Sequence, residues 1–385
     1  MISIWEKETF FAPQDVIVVG SGFVGLWSAL LLKKKNPNKK ISILERGFIP
    51  TGASTRNAGF ACFGSLSELM KDAQEFGAEK MLQLAEMRYR GLKRIQKYFD
   101  EDEIDFELCG GYELYEPQKI SKEELAHNID YLNSLLRPIT ESKKTFQLAD
   151  EKISEFGFSN TQHLVRNKPE GYQHSGKLLQ ALLHRVQGMG VQVFTGVEVK
   201  NISTGSDGVQ IETEVVPLKN TELQKIIFSA DQVLLCTNAF TKELLPDIDI
   251  VPARGQVMVT SSIPNLPFRG TFHSDEGFYY FRDLGDKVLL GGARNKAFDD
   301  EQTTDMNTSE FIQEQLQQYL DEVVLPNYKG RYTIEHRWAG IMAMGSEKMP
   351  IVKQLSDHMF CAVRMSGMGV ALAPIVAGEV VRLMK

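Results

Sequence analysis

Residues 15–46, DVIVVGSGFVGLWSALLLKKKNPNKKISILER, limit most tightly what this chain can fold into. An apolar run, Val16–Val19, ends in Gly20-Ser-Gly22-Phe-Val-Gly25. A helical stretch follows, and a second apolar run, Ile41–Leu44, closes on Glu45. The spacing predicts strand, tight turn, helix and strand. Gly20 permits the turn, Gly22 lets the backbone approach a pyrophosphate, and Gly25 lets the helix pack close to the sheet. The helix N-terminus offers unpaired N–H groups and the positive end of a dipole to phosphates. Glu45 is placed where a carboxylate accepts hydrogen bonds from a ribose diol. A lone GxGxxG is weak evidence; with both strands, the helix and the terminal acid in register, it argues for a bound dinucleotide.

Composition narrows the rest. A chain of 385 residues exceeds the usual size of one compact core, so two domains are expected. The net charge is −7 and no long basic run occurs, so nucleic acid is not an expected partner. No stretch approaches the roughly 20 apolar residues that span a bilayer. The start, MISIWEKETFFAPQD, lacks a basic lead and apolar core, which points to the cytoplasm. Cys62, Cys109, Cys236 and Cys361 are far apart with no CxxC, against a disulfide framework or a zinc site.

Further along, residues 66–100 read as helical, Phe106–Tyr115 as strand, 120–137 as helix, and Ser175–Met189 as an amphipathic helix. Val191–Phe194, Val197–Ile202 and Val209–Val215 read as strands and Asp231–Cys236 as a buried strand, with the strands near 190–202 and 231–236 placed to rejoin the first sheet. From 251 to 293 the pattern turns antiparallel, with a hairpin of Phe278–Arg282 and Lys287–Leu290 around Asp283-Leu-Gly285-Asp286. Period-two alternation puts Tyr280 and Arg282 on one face and Tyr279 on the other. Residues 308–323 read as a helix, and Ser366-Gly367-Met368-Gly369 opens a last helix, Val370–Met384. The expected organisation is a Rossmann-like α/β domain from discontinuous segments (1–80, 170–245 and 335–385), plus a substrate domain with a mixed or antiparallel sheet (81–169 and 246–334).

Six landmarks together resemble the D-amino-acid oxidase (glycine/sarcosine oxidase) family of FAD-dependent oxidoreductases. They are Gly20/Gly22/Gly25 with Glu45; Gly52-Ala-Ser54 with Asn57-Ala-Gly59; Cys236-Thr-Asn-Ala239; Pro252-Ala-Arg-Gly-Gln256; Gly291-Gly292-Ala-Arg294; and Trp338-Ala-Gly340 with Pro350 and Ser366-Gly-Met-Gly-Val-Ala-Leu-Ala-Pro374. The Arg-Asn-Ala-Gly loop and the Trp-Ala-Gly block look most similar to gamma-glutamylputrescine oxidase-like amine oxidases. The resemblance implies FAD, bound by Gly20, Ser21, Gly22, Phe23, Val24, Gly25, Glu45 and Arg46. It adds Ala53, Ser54, Asn57, Ala58 and Gly59, then Val199, Thr237, Asn238 and Gly340, and finally Gly367, Met368, Gly369 and Val370. No Cys or His lies near Met342–Pro350, so the FAD is expected to be non-covalent; Cys62 is the thiol to check.

The resemblance implies oxidation of a C–N bond by hydride transfer to flavin, with oxygen or another electron acceptor taking the electrons. The substrate is then an amine or amino-acid-like small molecule. Arg282, Tyr280 and Met342 are the candidate catalytic residues, with Arg56 and His273 as further candidates. By alignment Met342 stands where amino-acid oxidases of the family carry a carboxylate-clamping arginine, which disfavours a simple alpha-amino acid. Two alternatives share the fold: a flavin monooxygenase, and an FAD-containing RNA-modification or subunit protein. No second GxGxxG supports the first, and the acidic charge speaks against the second.

Overall fold

A computed structural model describes residues 2–206, 208–215 and 224–384. The chain divides into two compact units. Unit 1 comprises Met1–Thr55, Gly176–Ala253 and Met342–Lys385; unit 2 comprises Arg56–Ser175 and Arg254–Ile341.

Unit 1 is built on a parallel sheet with Gln14–Val19 at its centre. On one side lie Ile41–Glu45 and then Gln192–Thr195; on the other lie Gln224–Leu235 and then Met359–Val363. Ile351–Gln354 adds an antiparallel edge. Val16, Ile17 and Val18 are fully buried, as expected for a strand covered on both faces. Helix Phe23–Lys35 buries ten positions spread round its axis, and helix Gly369–Leu383 packs on it. Both helices are therefore apolar well beyond a single stripe. The strand Val197–Gly205 does not pair with the parallel strands; it pairs with Gly208–Val215, which returns to Gln224–Leu235.

The strand order reverses between Gln14–Val19 and Gln224–Leu235. In open α/β sheets this switch point, outside the carboxyl ends, is where ligands bind.

Unit 2 holds an eight-stranded sheet. Its inner order is Val251–Thr260, Lys287–Gly292, Tyr279–Leu284, Thr271–Ser274, Gly111–Tyr115 and His163–Asn167, with Ile334–Met344 and Phe146–Leu148 at the edges. The register sorts the side chains into ranks across the strands. Tyr112, Phe272, Phe281, Leu290 and Met258 form one rank in the apolar core, with the Phe272 and Phe281 rings stacked at 4.7 Å. Helix Glu310–Tyr319 and the π turn Leu320–Val324 supply Ile312, Leu316 and Leu320 to the same core. The other face carries two ranks of different character. One runs Glu113, His273, Tyr280, Gly291, Val257; the next runs Gly111, Thr271, Arg282, Leu289, Val259.

The helical reading of 66–100 resolves into Leu66–Phe76 and Ala78–Tyr98, broken at Gly77 with φ +86°. Lys122–Thr140 packs on both. Those contacts put residues 56–80 in unit 2, whereas the expected boundary assigned them to the dinucleotide domain.

Candidate active site

In unit 1, candidate cofactor-binding residues lie at the carboxyl ends of the sheet. After Val19 the chain turns at Gly20, φ +100°, so tightly that a Cβ there would stand 2.8 Å from Cys236 O. A Cβ on Gly25 would stand 2.0 Å from Gly20 O, so any side chain would force the helix off the turn. Gly22 is the N-cap and supplies no side chain to the helix amides. Ser54 Oγ instead accepts from Phe23 N at 2.9 Å. Glu45 closes the turn from the next strand. Its Oε2 accepts from Ser21 N (2.9 Å) and Ser21 Oγ (2.7 Å), and its Oε1 accepts from Gly47 N (2.8 Å). A carboxylate offers about four acceptor sites, so one remains on Oε1.

Two neighbouring loops complete this edge. Thr237 and Asn238 follow the Gln224–Leu235 strand, and Arg364–Gly367 follows Met359–Val363. Asn238, Arg364 and Ser366 all take left-handed backbone, at φ +47°, +64° and +46°. Such strain in non-glycine residues clusters at functional sites. Asn238 Oδ1 and Ser366 Oγ are buried without a hydrogen-bond partner. Helix Gly369–Leu383 begins at Met368 with no side-chain cap. Close glycine turns, two helix N-termini whose own N-cap residues supply no side-chain cap, the spare acceptor on Glu45 and these two orphaned oxygens fit a dinucleotide cofactor.

Other expected residues of unit 1 fall into place less directly. Arg46 lies at the surface, over the Phe240 ring at 4.2 Å and 3.3 Å from Glu243. Val199 sits half-buried opposite Thr213 in the antiparallel ribbon. Thr237 Oγ1 meets Thr241 Oγ1 at 2.9 Å. Met342 is half-buried, its Sδ 3.5 Å from where a Gly367 Cβ would be.

In unit 2, the candidate residues lie on the polar face of the large sheet. The short ribbon of Phe60–Ala61 and Gly171–Tyr172 covers it. The Phe60 ring meets His273 edge-on at 5.2 Å and Tyr280 at 5.9 Å. Burial pushes the His273 imidazole down to about 4 and the Tyr280 phenol up to about 12, so both are neutral at pH 7. Arg282 is buried, with its guanidinium over the Tyr172 ring at 4.0 Å. Its Nε donates to Asp283 O at 3.0 Å, and its Nη1 makes long contacts to Gly59 O (3.4 Å) and Gln173 O (3.5 Å). Nε and Nη1 are thus turned to main-chain carbonyls, which disfavours a bidentate grip on a substrate carboxylate.

Asn57, Ala58, Gly59 and Gly340 belong to unit 2. Asn57 Oδ1 accepts from Gly59 N and Ser175 Oγ. Ala58 packs with Trp338 on Val257, Val259 and Leu289. Arg56 Nη1 donates to Ala339 O at 2.9 Å, and Arg56 O accepts from Trp338 Nε1. Cys62 is buried, and burial beside Glu170 pushes its thiol well up, away from the thiolate. The buried carboxyl of Glu170 had no signal in the sequence: a single acid in a Pro-Glu-Gly turn carries no periodicity.

A nucleotide-binding α/β unit and a polar-faced sheet unit define a flavoprotein oxidoreductase class. The family described as FAD dependent oxidoreductase matches residues 15–383, and the chain belongs to it, with FAD as cofactor. The probable oxidoreductase OrdL of Haemophilus influenzae is 24% identical over 380 residues, covering 95% of this chain and 81% of that one. The solved L-proline dehydrogenase from P. horikoshii aligns with a TM-score of 0.75 at 18% identity, covering 96% of this chain and 93% of that one. Glycine oxidase from Geobacillus kaustophilus aligns at 0.73 and 19% identity, covering 97% and 95%. Among the described residues no helix is long and apolar enough to cross a membrane.

Proposed function

We propose that the protein oxidises a C–N bond of an amine or amino-acid-like substrate. When bound, FAD supplies the hydride acceptor for the carbon beside the nitrogen. Gly20–Gly25, Glu45, Ser54, Thr237, Asn238 and Gly367–Val370 would hold it. The observation that carries the reading is the low charge of the polar face: neutral His273, neutral Tyr280 and the Phe60 ring gather in one half-buried patch. Such surroundings disfavour an ammonium and hold an amine in the neutral form that releases hydride. Tyr280 would orient the substrate through its hydroxyl. Arg282 would add a positive charge, with Nε and Nη1 already turned to main-chain carbonyls, which suits a remote acid group better than tight bidentate capture of a small alpha-amino acid. Proline dehydrogenase and glycine oxidase, which share the fold, act by name on C–N compounds.

The test is anaerobic reduction of the FAD-loaded protein by a panel of amines, amino acids and 2-hydroxy acids. Reduction by C–N compounds is expected; reduction confined to NAD(P)H would support a monooxygenase.

A further inference from the structure

The substrate reading leaves one acid of the polar face without a task. Glu170 precedes the covering ribbon and lies wholly inside unit 2. Its Oε1 accepts from Phe63 N (3.0 Å) and Gly64 N (3.3 Å). Its Oε2 has no hydrogen-bond partner and lies 3.7 Å from His273 Nε2, which is likewise buried and unpartnered. Gly111, on the neighbouring strand, makes the room: a Cβ there would stand 2.3 Å from Glu170 Oε2.

Two acceptors facing each other in a dry interior repel, and a single proton between them satisfies both. At 3.7 Å the pair is longer than a hydrogen bond; closing by about 0.8 Å, within reach of a side-chain rotation, makes one. The proton has two resting places. An imidazolium facing a carboxylate would place two charges in the interior, where desolvation penalises both. Burial drives each partner toward its neutral form, the carboxyl up to about 8 and the imidazole down to about 4. The amides of Phe63 and Gly64 pull the acid back down by less than burial raises it, and nearby carboxylates push it up. Glu68 and Glu113 raise it, while Arg88 is engaged with Glu68 at 3.0 Å and with Phe63 O. Cys62 and Tyr280, the remaining titratable neighbours, are neutral. The ring's Nδ1 is not among the buried unpartnered atoms.

We propose that Glu170 is a positioning residue: protonated at neutral pH, it donates to His273 Nε2 and fixes the ring as the Nδ1–H tautomer, which presents an N–H donor beside Tyr280. The proposal rests on the reading that this face receives the substrate. It adds a substrate feature, since a fixed N–H donor next to a phenol suits a carbonyl or carboxylate oxygen on the molecule being oxidised.

The experiment uses FAD-loaded protein labelled with 15N-histidine, without substrate, and reads the ring nitrogens by NMR, with the His273 signals assigned from His273→Asn. The expected spectrum shows Nδ1 protonated and Nε2 bare, with no titration between about pH 5.5 and 7. Glu170→Gln keeps that signature, because its amide donates to Nε2 while its carbonyl still accepts from Phe63 and Gly64. Glu170→Met loses it, and the ring, still buried, changes tautomer. An Nε2–H tautomer or an imidazolium at pH 7 in the unaltered protein overturns the proposal, as does a Glu170→Gln spectrum with Nδ1 bare. The tautomer is read without turnover, so a protein showing it while no C–N compound reduces the flavin keeps the proton-holding pair and loses the substrate reading.

Discussion

Arg282 is held by three carbonyls and an aromatic ring before any substrate arrives, which makes Tyr280 the more exposed test of the polar face. Tyr280→Phe keeps the ring against Phe60 and removes the hydroxyl. It should lower kcat/KM about 5- to 10-fold, the worth of one hydrogen bond, with FAD content unchanged; an unaltered kcat/KM in steady-state assays would remove Tyr280 from the site. Glu45 bonds Ser21 and Gly47 and retains one acceptor for a ribose. Glu45→Gln should weaken FAD binding about 10-fold, or ~1.4 kcal/mol, measured by flavin release on dialysis. Retention equal to the unaltered protein would contradict the assignment. Glu170 and His273 make a pH prediction whose two limbs run in opposite directions. The acid's folded pKa is raised, so its contribution to stability is full below its ordinary value of 4.5 and is lost as pH rises toward about 8. The imidazole's is lowered, so its contribution is full above 6.5 and is lost as pH falls toward about 4. From pH 6.5 to 8 the acid limb acts alone. Urea unfolding should show the unaltered protein losing stability across that window and Glu170→Gln losing less; parallel curves would argue that Glu170 is ionised. Sequence showed Glu45, because its place in the strand–helix–strand unit is fixed by spacing. It gave no sign of Glu170, whose character comes from Phe63, Gly64, Gly111 and His273, distant in the chain.

At the scale of elements, the Gly20–Gly25 turn carries the tightest geometry. Gly25→Ala puts a Cβ against Gly20 O, a backbone atom that cannot yield locally. The expected result is a loss of about 1–3 kcal/mol in urea unfolding together with reduced FAD content; an unchanged midpoint would mean that the helix slides freely. Elements with a clean period were legible. The first strand and helix lie where read, and the hairpin places Tyr279 and Phe281 in the core with Tyr280 and Arg282 opposite, as alternation requires. Breaks within a continuing apolar pattern were not. Leu66–Phe76 and Ala78–Tyr98 carry similar three- and four-residue steps, and only the positive φ at Gly77 separates them. The helix read over 308–323 is α-helical through Tyr319 and widens into a π turn to Val324, a change that leaves the buried stripe almost unaltered.

Across the whole molecule, each unit is assembled from segments distant in the chain. The discontinuous plan was readable because separate strands carried the apolar signature of one parallel sheet. The boundary at 55/56 was not, since it depends on Leu66–Phe76 packing against Lys122–Thr140, a contact with no local signature. Family membership and FAD follow from the match over residues 15–383. The chemistry proposed here rests on a low-charge sheet face, a neutral imidazole and an arginine whose Nε and Nη1 are turned to main-chain carbonyls. The most direct measurement is the visible flavin spectrum of the FAD-loaded protein, mixed anaerobically with one candidate reductant at a time. C–N compounds should bleach it, and amines or substrates with a remote acid group should do so faster than glycine or sarcosine. A flavin that stays oxidised with every amine and amino acid, and is bleached by NAD(P)H or 2-hydroxy acids, would contradict C–N oxidation.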